Sequence, residues 1–278
     1  MLPENHMLIK IGGDNVIAAV VPAKNEEGRI IKVLTNLIKT GVDRVFTVIN
    51  GSTDNTLFEA EKVRSIFEDK IEIIYFKEAL GYDVPKAIGA FRAFKKGATC
   101  VIFIDGDMQG KMNDKLKTLI RSILKEKADL SLTRFYPEYI KENRLSLELY
   151  YYKKLFNQTI NLYNKVLTAI PSHGPHAVSK KFLENVDFSF FAVPPLESVF
   201  AVKEGLKVQA PVVMRVEEPG SKPRGFIHAK KMADTIIGDI AEALNFYKGL
   251  PKNRIVNSKE YIGYHSERRF DILKQFIS

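Results

Sequence analysis

The feature that most constrains the fold of this chain is an alternation, over its first half, of short apolar runs with segments of helical spacing. The runs are rich in β-branched residues and predict five strands, over residues 16–21, 44–49, 71–76, 101–104 and 130–133. Apolar residues three and four positions apart predict the intervening helices, over residues 29–38, from a cap at 52–54, over 86–96 and over 114–125. Strands that alternate with helices of this length predict an α/β fold, a mostly parallel sheet flanked by helices.

Two acidic residues follow the fourth predicted strand directly, in Ile104-Asp105-Gly106-Asp107. In open α/β sheets, ligands bind where the strands end at their carboxyl edge. Two carboxylates one residue apart at that edge form a hard-oxygen site for Mg²⁺ or Mn²⁺. Such a metal would bridge a diphosphate and neutralise charge on a departing nucleotide. Gly106 lets the backbone approach a ligand closely.

Other polar motifs follow the first and second predicted strands. The first strand ends in Pro-Ala-Lys-Asn-Glu-Glu at 22–27, and the second ends in Asn-Gly-Ser-Thr-Asp-Asn-Thr at 50–56. Lys86, at the start of the third predicted helix, is placed to contact a diphosphate as a point charge. The alternative for Lys86 is an ordinary solvated lysine.

Taken in order, the motifs PAKNEE, NGSTDNT, LGYDVPKAIGA and DGDMQ resemble those of family 2 glycosyltransferases with the Rossmann-like GT-A fold. The resemblance implies that the base and ribose of a nucleotide are lined by Pro22, Ala23, Asn25 and Glu26. It also implies that Asp105 reaches the nucleoside side and that Asp107 binds the metal. Many members have Asp-Asp where this chain has Ile49-Asn50. Asn50 can still bond a base edge, and the donor base stays open between uridine, which we prefer, and guanosine.

A second resemblance covers the latter half of the chain. Residues 171–177 (PSHGPHA), residues 194–197 (PPLE) and His228 in a Pro-Arg-x-x-x-His context are similar in order to the glucosyl-3-phosphoglycerate and mannosyl-3-phosphoglycerate synthase group. This resemblance implies transfer with retention of configuration and a late histidine, here His228, as a second metal ligand. A neutral imidazole is a suitable ligand for Mn²⁺. The glycine-rich acceptor motif of that group is not recognisable between Thr133 and Ser146, so the acceptor stays open.

Glu197 has a different role in each of two mechanisms. In an inverting transferase it would act as the general base that removes the proton of the acceptor hydroxyl. In a retaining enzyme the departing phosphate can take that proton, and Glu197 would orient the acceptor or the sugar. A third interpretation is a carboxylate that stabilises a helix N-terminus.

The candidates for binding an acceptor are basic residues, because a guanidinium matches the geometry of a phosphate. They are Arg134, Arg144, His173, His176 and Arg224.

The chain has a formal net charge of +9, which attracts anionic ligands. Its basic residues form neither a long run nor a known recognition helix, so nucleic acid is not expected as a partner. The basic residues after Lys248, which include Lys252, Arg254, Arg268 and Arg269, leave three partners open: a membrane surface, an acidic acceptor or a second subunit in a homodimer.

We expect a soluble, cytoplasmic protein. A single cysteine, Cys100, excludes an internal disulfide and predicts a buried strand residue. No apolar stretch approaches the roughly 20 residues that span a bilayer, and residues 1–10 lack the features of a signal peptide.

We predict a GT-A catalytic domain over residues 1–216, with a nucleotide-binding half at about 14–133 and an acceptor half at 134–216. A loop with Pro219, Gly220 and Pro223 separates it from a C-terminal helical extension over 217–278.

The expected activity is metal-dependent transfer of a sugar from a nucleotide-diphosphate donor to a small or phosphate-bearing acceptor. The alternatives are a non-catalytic nucleotide-sugar binder and an inverting transferase acting on a lipid phosphate or a polysaccharide. A dehydrogenase or P-loop enzyme would need glycine-rich motifs that the chain lacks.

Overall fold

The computed structural model describes residues 15–221 and 224–278. Pro223 lies outside the described residues, and so do residues 1–10, for which the sequence predicts no signal peptide. The strands of the main sheet are β1 (Ile17–Ala23), β2 (Arg44–Asn50), β3 (Ile71–Phe76), β4 (Cys100–Phe103), β5 (Leu130–Tyr136), β6 (His176–Ser179) and β7 (Val208–Arg215). A two-residue hairpin, β8 (Ile255–Val256) and β9 (Lys259–Glu260), lies outside that sheet.

Helices flank the sheet on both faces. They are α1 (Ile30–Thr40), α2 (Thr56–Ile66), α3 (Val84–Lys95), α4 (Asn113–Leu124), α5 (Arg144–Thr159), α6 (Tyr163–Val166), α7 (Lys180–Asn185), α8 (Pro195–Lys203), α9 (Phe226–Tyr247) and α10 (Phe270–Ile277). The spacing of apolar residues explains the faces they bury, as in α1, where Ile30, Val33, Leu34 and Leu37 are buried. Gly41 ends α1 in the left-handed conformation, with φ of 93°. Among the described helices, none has the length and apolar composition that crossing a membrane requires.

The order of the main sheet is β3-β2-β1-β4-β6-β5-β7. Strands β3, β2, β1 and β4 are parallel to one another, as is the pair β5 and β7. Strand β6 is antiparallel to both of its neighbours, β4 and β5. The mostly parallel α/β sheet predicted from the alternating pattern is thus confirmed.

The central strand β1 is buried on both faces, which divides the core into two layers. Ala18 and Val20 belong to a cluster with residues of α3, α8 and α9, whereas Ala19 and Val21 belong to a cluster with residues of α1, α2 and α4. A parallel strand covered by helices on both faces carries an almost continuous apolar run for this reason. Cys100 starts β4 as a buried strand residue, and burial raises the pKa of its thiol to about 12.

Apolar and aromatic residues at helical spacing over residues 143–170 predict one long helix, and Pro171, Gly174 and Pro175 predict a loop after it. Both predictions were wrong. Residues 143–170 form two helices, α5 and α6, because Asn161 (φ 59°) between them and Leu167 (φ 52°) after α6 adopt left-handed backbone. The residues after Pro171 include β6. Its four residues pair with strands distant in sequence, and a segment that short carries no periodicity of its own.

The C-terminal extension packs into the main core rather than forming a separate one. Ile237, Ile240 and Ala243 of α9, with Tyr261 and Leu273 after it, belong to the same cluster as Val20. Helix α9 therefore lies against the layer that contains α3, next to the carboxyl ends of the parallel strands.

Candidate active site

A cavity of about 660 Å³ opens at the carboxyl edge of the sheet. One side is formed by the strand-end loops, which we define as residues 22–29, 50–56, 80–86 and 104–109. The other side includes α9 and a segment that we name the C-terminal clasp, residues 261–269. The strand-end loops contribute Pro22, Ala23, Lys24, Glu26, Asn50, Gly81, Tyr82, Asp83, Pro85, Lys86, Asp105, Gly106 and Asp107 to its lining.

The Asp-x-Asp pair lies in this cavity as the sequence predicts. The side chain of Asp105 is 41% exposed and that of Asp107 is 17% exposed. Gly106 lies between them, and its N–H donates to the Pro22 carbonyl at 3.0 Å. A Cβ at position 106 would approach that carbonyl oxygen to 2.9 Å, so a glycine allows the first and fourth strand-end loops to touch.

The negative charge of this pair is incompletely balanced. Burial and the neighbouring Asp105 raise the pKa of Asp107, although Arg224 opposes the shift with its Nη2 at 3.5 Å from Asp107 Oδ2. Two carboxylates that disfavour each other's charge are stabilised by a cation between them. Their oxygens, with the imidazole of His228 lining the same cavity, form a donor set that suits Mn²⁺ or Mg²⁺.

His228 lies on the first turn of α9, opposite the strand-end loops. Its Nδ1 is 2.8 Å from the hydroxyl of Tyr264 in the C-terminal clasp. If Nδ1–H donates to the Tyr264 oxygen, Nε2 keeps its lone pair for a metal. Burial and Arg224 lower the pKa of His228, which favours the neutral imidazole that metal binding needs.

Lys86 lies at the floor of the cavity between two carboxylates. Its Nζ is 3.1 Å from Asp83 Oδ1 and 3.3 Å from Asp105 Oδ1. Burial alone would lower the pKa of Lys86, but Asp105 and Asp83 raise it well above its usual value. Lys86 is therefore a fixed positive charge beside the Asp-x-Asp pair, as the interaction with a diphosphate predicted from the sequence requires.

The predicted nucleotide-binding residues of the first motif divide between the cavity and the loop behind it. Pro22, Ala23 and Glu26 line the cavity. Glu26 is buried and forms ion pairs with Arg29 and Arg224, while burial, the largest influence, raises its pKa. Asn25 is not among the described residues that line the cavity. Its Oδ1 accepts from the Thr53 N–H at 2.9 Å, which joins the first and second strand-end loops.

Asn50 lines the cavity, but both ends of its amide bond to the protein. Its Oδ1 accepts from the Leu80 N–H at 2.6 Å, and its Nδ2 donates to the Gly81 carbonyl at 3.1 Å. The side chain, predicted to read a base edge, thus holds the third strand-end loop in place.

Glu197 lies beneath the cavity rather than in it. It is 0% exposed, and it is not among the described residues of the cavity lining. Its Oε2 is 3.2 Å from Nε2 of His176, a buried ring stacked on Phe103. Burial raises the pKa of Glu197, against the opposing influence of His176. A catalytic role in direct contact with an acceptor does not fit this position.

Of the predicted acceptor-binding residues, Arg224 alone is among the described residues of the cavity lining. Arg144 is exposed, and Arg134 is half-buried on β5. His173 stacks on Phe135, and burial together with Lys153 lowers its pKa to about 3, so the ring is neutral near pH 7. Asn143 and Ser172, each next to a predicted residue, do line the cavity.

The basic C-terminal residues are not a uniform exposed surface. Arg254 and Arg268 are 5% and 6% exposed, and both bond Asp239 of α9. They are therefore unavailable to a membrane or an acidic acceptor, and the prediction for these two residues was wrong. Sequence reasoning placed them on the surface because their partner lies on a helix whose packing is not visible locally.

A second cluster of possible metal ligands is formed by Asp239, Glu242 and His265, whose candidate ligand atoms lie within 4.8 Å of one another. The carboxylates there are already matched by positive charge. Asp239 bonds Arg254 at 2.6 Å and Arg268 at 2.6 and 2.8 Å, and Glu242 bonds Arg254 at 3.2 Å. This cluster is an ion-pair network, and a metal would have to displace two buried guanidinium groups from it.

Sequence reasoning missed the site residues Tyr82, Asp83, Tyr264 and Arg268. The first two lie within the LGYDVPKAIGA motif, where the tyrosine and the acid before Pro85 were the available signal. The last two lie in the C-terminal clasp, which carries no motif.

The fold resembles solved glycosyltransferase structures at low sequence identity. Glucosyl-3-phosphoglycerate synthase from Mycobacterium tuberculosis, solved with Mn²⁺, uridine-diphosphate and phosphoglyceric acid, superposes with a TM-score of 0.63 at 19% identity, over 86% of this chain and 80% of that one. A mannosyltransferase from Pyrobaculum calidifontis, solved with GDP-Man and Mn²⁺, superposes with a TM-score of 0.57 at 15% identity, over 94% of this chain and 72% of that one.

Comparison of sequences gives one curated relative and a family. An uncharacterized protein of Methanocaldococcus jannaschii is 30% identical over 155 residues, which cover 55% of this chain and 60% of that protein. Residues 18–187 match the profile described as Glycosyl transferase family 2. That range contains the four ordered motifs and the Asp-x-Asp pair. The chain therefore belongs to glycosyl transferase family 2, and it has the GT-A fold.

Proposed function

We propose that this protein transfers a sugar from a UDP-sugar to a small, phosphate-bearing acceptor, with a divalent metal and with retention of configuration. The observation that carries the proposal is the joint placement, in one cavity, of Asp105, Asp107, Lys86 and His228. A hard-oxygen pair, an ammonium and an imidazole together match the needs of a metal-bound diphosphate.

Asp107 and His228, with Asp105 beside them, would hold the metal. When bound, Mn²⁺ or Mg²⁺ would supply positive charge that stabilises the diphosphate leaving group. The similar synthase and mannosyltransferase structures contain Mn²⁺ with a nucleotide. This supports a metal cofactor here, and the uridine nucleotide of the synthase supports UDP over GDP as the first donor to test.

The chain's own residues would bind and orient the donor. Lys86, held charged by two carboxylates, would contact the diphosphate, while Pro22, Ala23 and Glu26 would lie along the nucleoside. Since the amide of Asn50 is bonded to Leu80 and Gly81, it would not be the group that reads the base.

The burial of Glu197 supports retention. An inverting transferase needs a base within hydrogen-bond reach of the acceptor hydroxyl, and this candidate base is enclosed with His176. In the retaining reaction the bond between the anomeric carbon and the β-phosphate oxygen breaks as the acceptor oxygen bonds to that carbon. The acceptor proton then passes to the departing phosphate on the same face. In this reaction Glu197 would stay behind the cavity floor, where its charge lies near Lys86 and Asp83, and it would not contact the acceptor.

A buried ammonium supports an anionic acceptor. Lys153 is 6% exposed, its Nζ lies 3.3 Å from His173 Nδ1, and it forms no ion pair with a carboxylate of the described residues. Burial lowers the pKa of Lys153 to about 8, so the group is still mostly protonated at pH 7. Its partner His173 follows Ser172, which lines the cavity, so the positive charge of Lys153 lies close to that part of the cavity wall.

The test is a transfer assay with paired substrates. Purified protein with Mn²⁺ is given UDP-glucose or GDP-mannose, together with phosphoglyceric acid or with glyceric acid, which lacks the phosphate. We expect metal-dependent product from the UDP donor and the phosphorylated acceptor, and NMR of the product should show the donor's anomeric configuration. Inverted product would contradict retention. Stabilisation by nucleotide without turnover on any acceptor would indicate a binder.

A further inference from the structure

The C-terminal clasp is bonded directly to the loop that carries Lys86. The Arg269 N–H donates to the Leu80 carbonyl at 2.9 Å, and Arg268 Nε donates to the Tyr82 carbonyl at 3.0 Å. Gly81, with φ of 82°, lies so close to the clasp that a Cβ there would be 2.3 Å from the Glu267 carbonyl oxygen. The two backbones are therefore in contact, and the position of one constrains the other.

The side chain of Arg268 joins two acidic residues from different parts of the chain. The side chain is fully buried, and its Nη2 contacts Asp83 Oδ2 at 2.9 Å. The same guanidinium bonds both oxygens of Asp239, at 2.6 Å and 2.8 Å. The planar fork of an arginine bonds Asp239 through two N–H groups and still donates to Asp83, a bidentate geometry that the ammonium of a lysine does not provide.

Asp83 connects this arginine to the cavity. One of its oxygens accepts from Arg268 while the other is 3.1 Å from Lys86 Nζ. Its backbone is left-handed, with φ of 65°, a conformation that a residue with a side chain rarely adopts. The two cationic partners hold it there, at the start of α3.

A line of alternating charges thus runs from the Asp-x-Asp pair into the C-terminal region, through Asp105, Lys86, Asp83, Arg268, Asp239 and Arg254. We propose that Arg268 is a positioning residue of the donor site, which holds Asp83 and thereby fixes Lys86 where a donor diphosphate binds. The inference rests on the proposed function, because it concerns the same diphosphate.

The physical reason is competition for Lys86. Asp83 is buried and shares two cations, so the loss of the arginine would leave Lys86 as its sole partner in the described structure. The ammonium would then be held more strongly by Asp83 and would be less available to a diphosphate beside Asp105. The affinity for a nucleoside diphosphate should fall, whereas the affinity for the corresponding monophosphate, which lacks the terminal phosphate, should not.

The experiment compares Arg268→Lys with Arg254→Lys by calorimetry of UDP and UMP binding in the presence of Mn²⁺. Arg254 is a matched control because it bonds the same Asp239 oxygen at the same 2.6 Å but does not contact Asp83. We expect Arg268→Lys to weaken UDP binding about tenfold, the value of one charge-assisted hydrogen bond, and to leave UMP binding unchanged. Arg254→Lys should leave the ratio of the two affinities as in the wild type.

Two further variants exclude an effect through general stability. Asp83→Asn removes, at constant size, the charge that competes for Lys86, so it should strengthen UDP binding and leave UMP binding unchanged even if Arg268→Lys does not fold. A selective loss of UDP binding in Asp83→Asn would contradict the competition. In a Lys86→Gln background, Arg268→Lys should cause no additional loss of UDP affinity, because the residue on which it acts is gone.

The outcomes separate the inference from the proposed function. If the wild type prefers UDP to UMP and both arginine variants keep that preference or lose it equally, Arg268 is merely structural and the inference is wrong. If the wild type with Mn²⁺ binds GDP rather than UDP, the same comparison applies to GDP and GMP. If it binds no nucleoside diphosphate, both the proposed function and the inference are overturned.

Discussion

The strand-end loops and the C-terminal side of the cavity both carry acidic side chains, but they balance the charge differently. In the loops, Asp105 and Asp107 have cationic neighbours at 3.3 and 3.5 Å, longer than ordinary hydrogen bonds. On α9, Asp239 accepts three bonds of 2.6 to 2.8 Å from two buried arginines. Two clusters that both contain carboxylates therefore suit different roles: the one with incompletely balanced charge is where we propose that a cation binds, and the balanced one stabilises the fold.

The two regions also depend on each other. The loops supply the groups that would contact the donor. The C-terminal clasp, with Asp239 of α9 behind it, bonds the third of those loops from a distant part of the sequence. Arg268 bonds Asp83 across 185 positions and Arg224 bonds Glu26 across 198. The C-terminal extension is thus part of the site, and substitutions on either side should reveal the different roles of the two regions.

The largest effect is expected at Asp107. Replacement Asp107→Ala removes a carboxylate from the proposed metal site, and the lost charge stabilisation, worth several kcal/mol, should lower kcat by at least about a thousandfold. The measurement is sugar transfer at saturating Mn²⁺, with thermal unfolding to show that the fold is intact. Asp69→Ala, which removes an exposed carboxylate beyond the cavity, is the control and should leave the rate unchanged. Full metal-dependent activity of Asp107→Ala would remove Asp107 from the site.

The strand-end loops could be predicted from the sequence because each lies directly after a strand with a clear apolar pattern. Asp105, Asp107, Lys86 and Pro22, all of which line the cavity, were located in this way, and the family profile spans the motifs that contain them. A parallel sheet brings its carboxyl ends to one edge whatever the rest of the chain does. Local pattern therefore sufficed for this half of the site.

The other half could not be predicted, because its contacts are made between residues distant in sequence. The sequence predicts that Arg268 and Arg254 are surface cations, whereas in the structure both bond Asp239, which lies between them. Glu197 has the position of a general base in the sequence, but its burial depends on how α8 packs. Side-chain type indicates possible chemistry, and burial decides whether a group reaches a ligand.

The second prediction concerns Asn50, a strand-end residue whose contacts are structural. Asn50→Ala leaves the Leu80 N–H and the Gly81 carbonyl without partners in a buried loop, so we expect the free energy of unfolding to fall by about 2 kcal/mol. Urea denaturation measures this loss. Asn185→Ala, which removes an exposed amide bonded to a helix carbonyl, should cost much less. Equal losses in the two variants would mean that Asn50 does not hold the third strand-end loop.

The third prediction tests the clasp residue next to the proposed metal site. Tyr264→Phe removes the hydroxyl that lies 2.8 Å from His228 Nδ1, which should free the ring to rotate and weaken Mn²⁺ binding about tenfold, as loss of such outer partners usually does. Titration of Mn²⁺ with nucleotide present, followed by calorimetry, gives the affinity. His228→Ala, which removes the ligand itself, should weaken binding more than Tyr264→Phe does.

A second tyrosine provides the control for that experiment. Tyr261→Phe removes a hydroxyl from the same segment, but this one donates to Glu148 at 3.0 Å, away from His228. It should leave the metal affinity unchanged. A loss of equal size in both phenylalanine variants would assign the effect to the packing of the clasp rather than to the orientation of His228.

The smallest expected effect is the contribution of one histidine on the C-terminal side, His265, to the pH dependence of stability. Burial and the nearby Arg254 and Arg268 lower the pKa of His265 from 6.5 to about 4, against the opposing influence of Asp239. Between those values the unfolded chain binds a proton that the folded chain does not, so stability falls as the pH falls from 6.5 towards 4.

Replacement by glutamine, His265→Gln, should flatten this dependence. Because the ring is partly exposed, the change in slope should stay below the roughly 1.4 kcal/mol per pH unit of a whole proton. Urea denaturation at a series of pH values measures both slopes, and equal slopes would show that His265 is not held neutral by the two arginines.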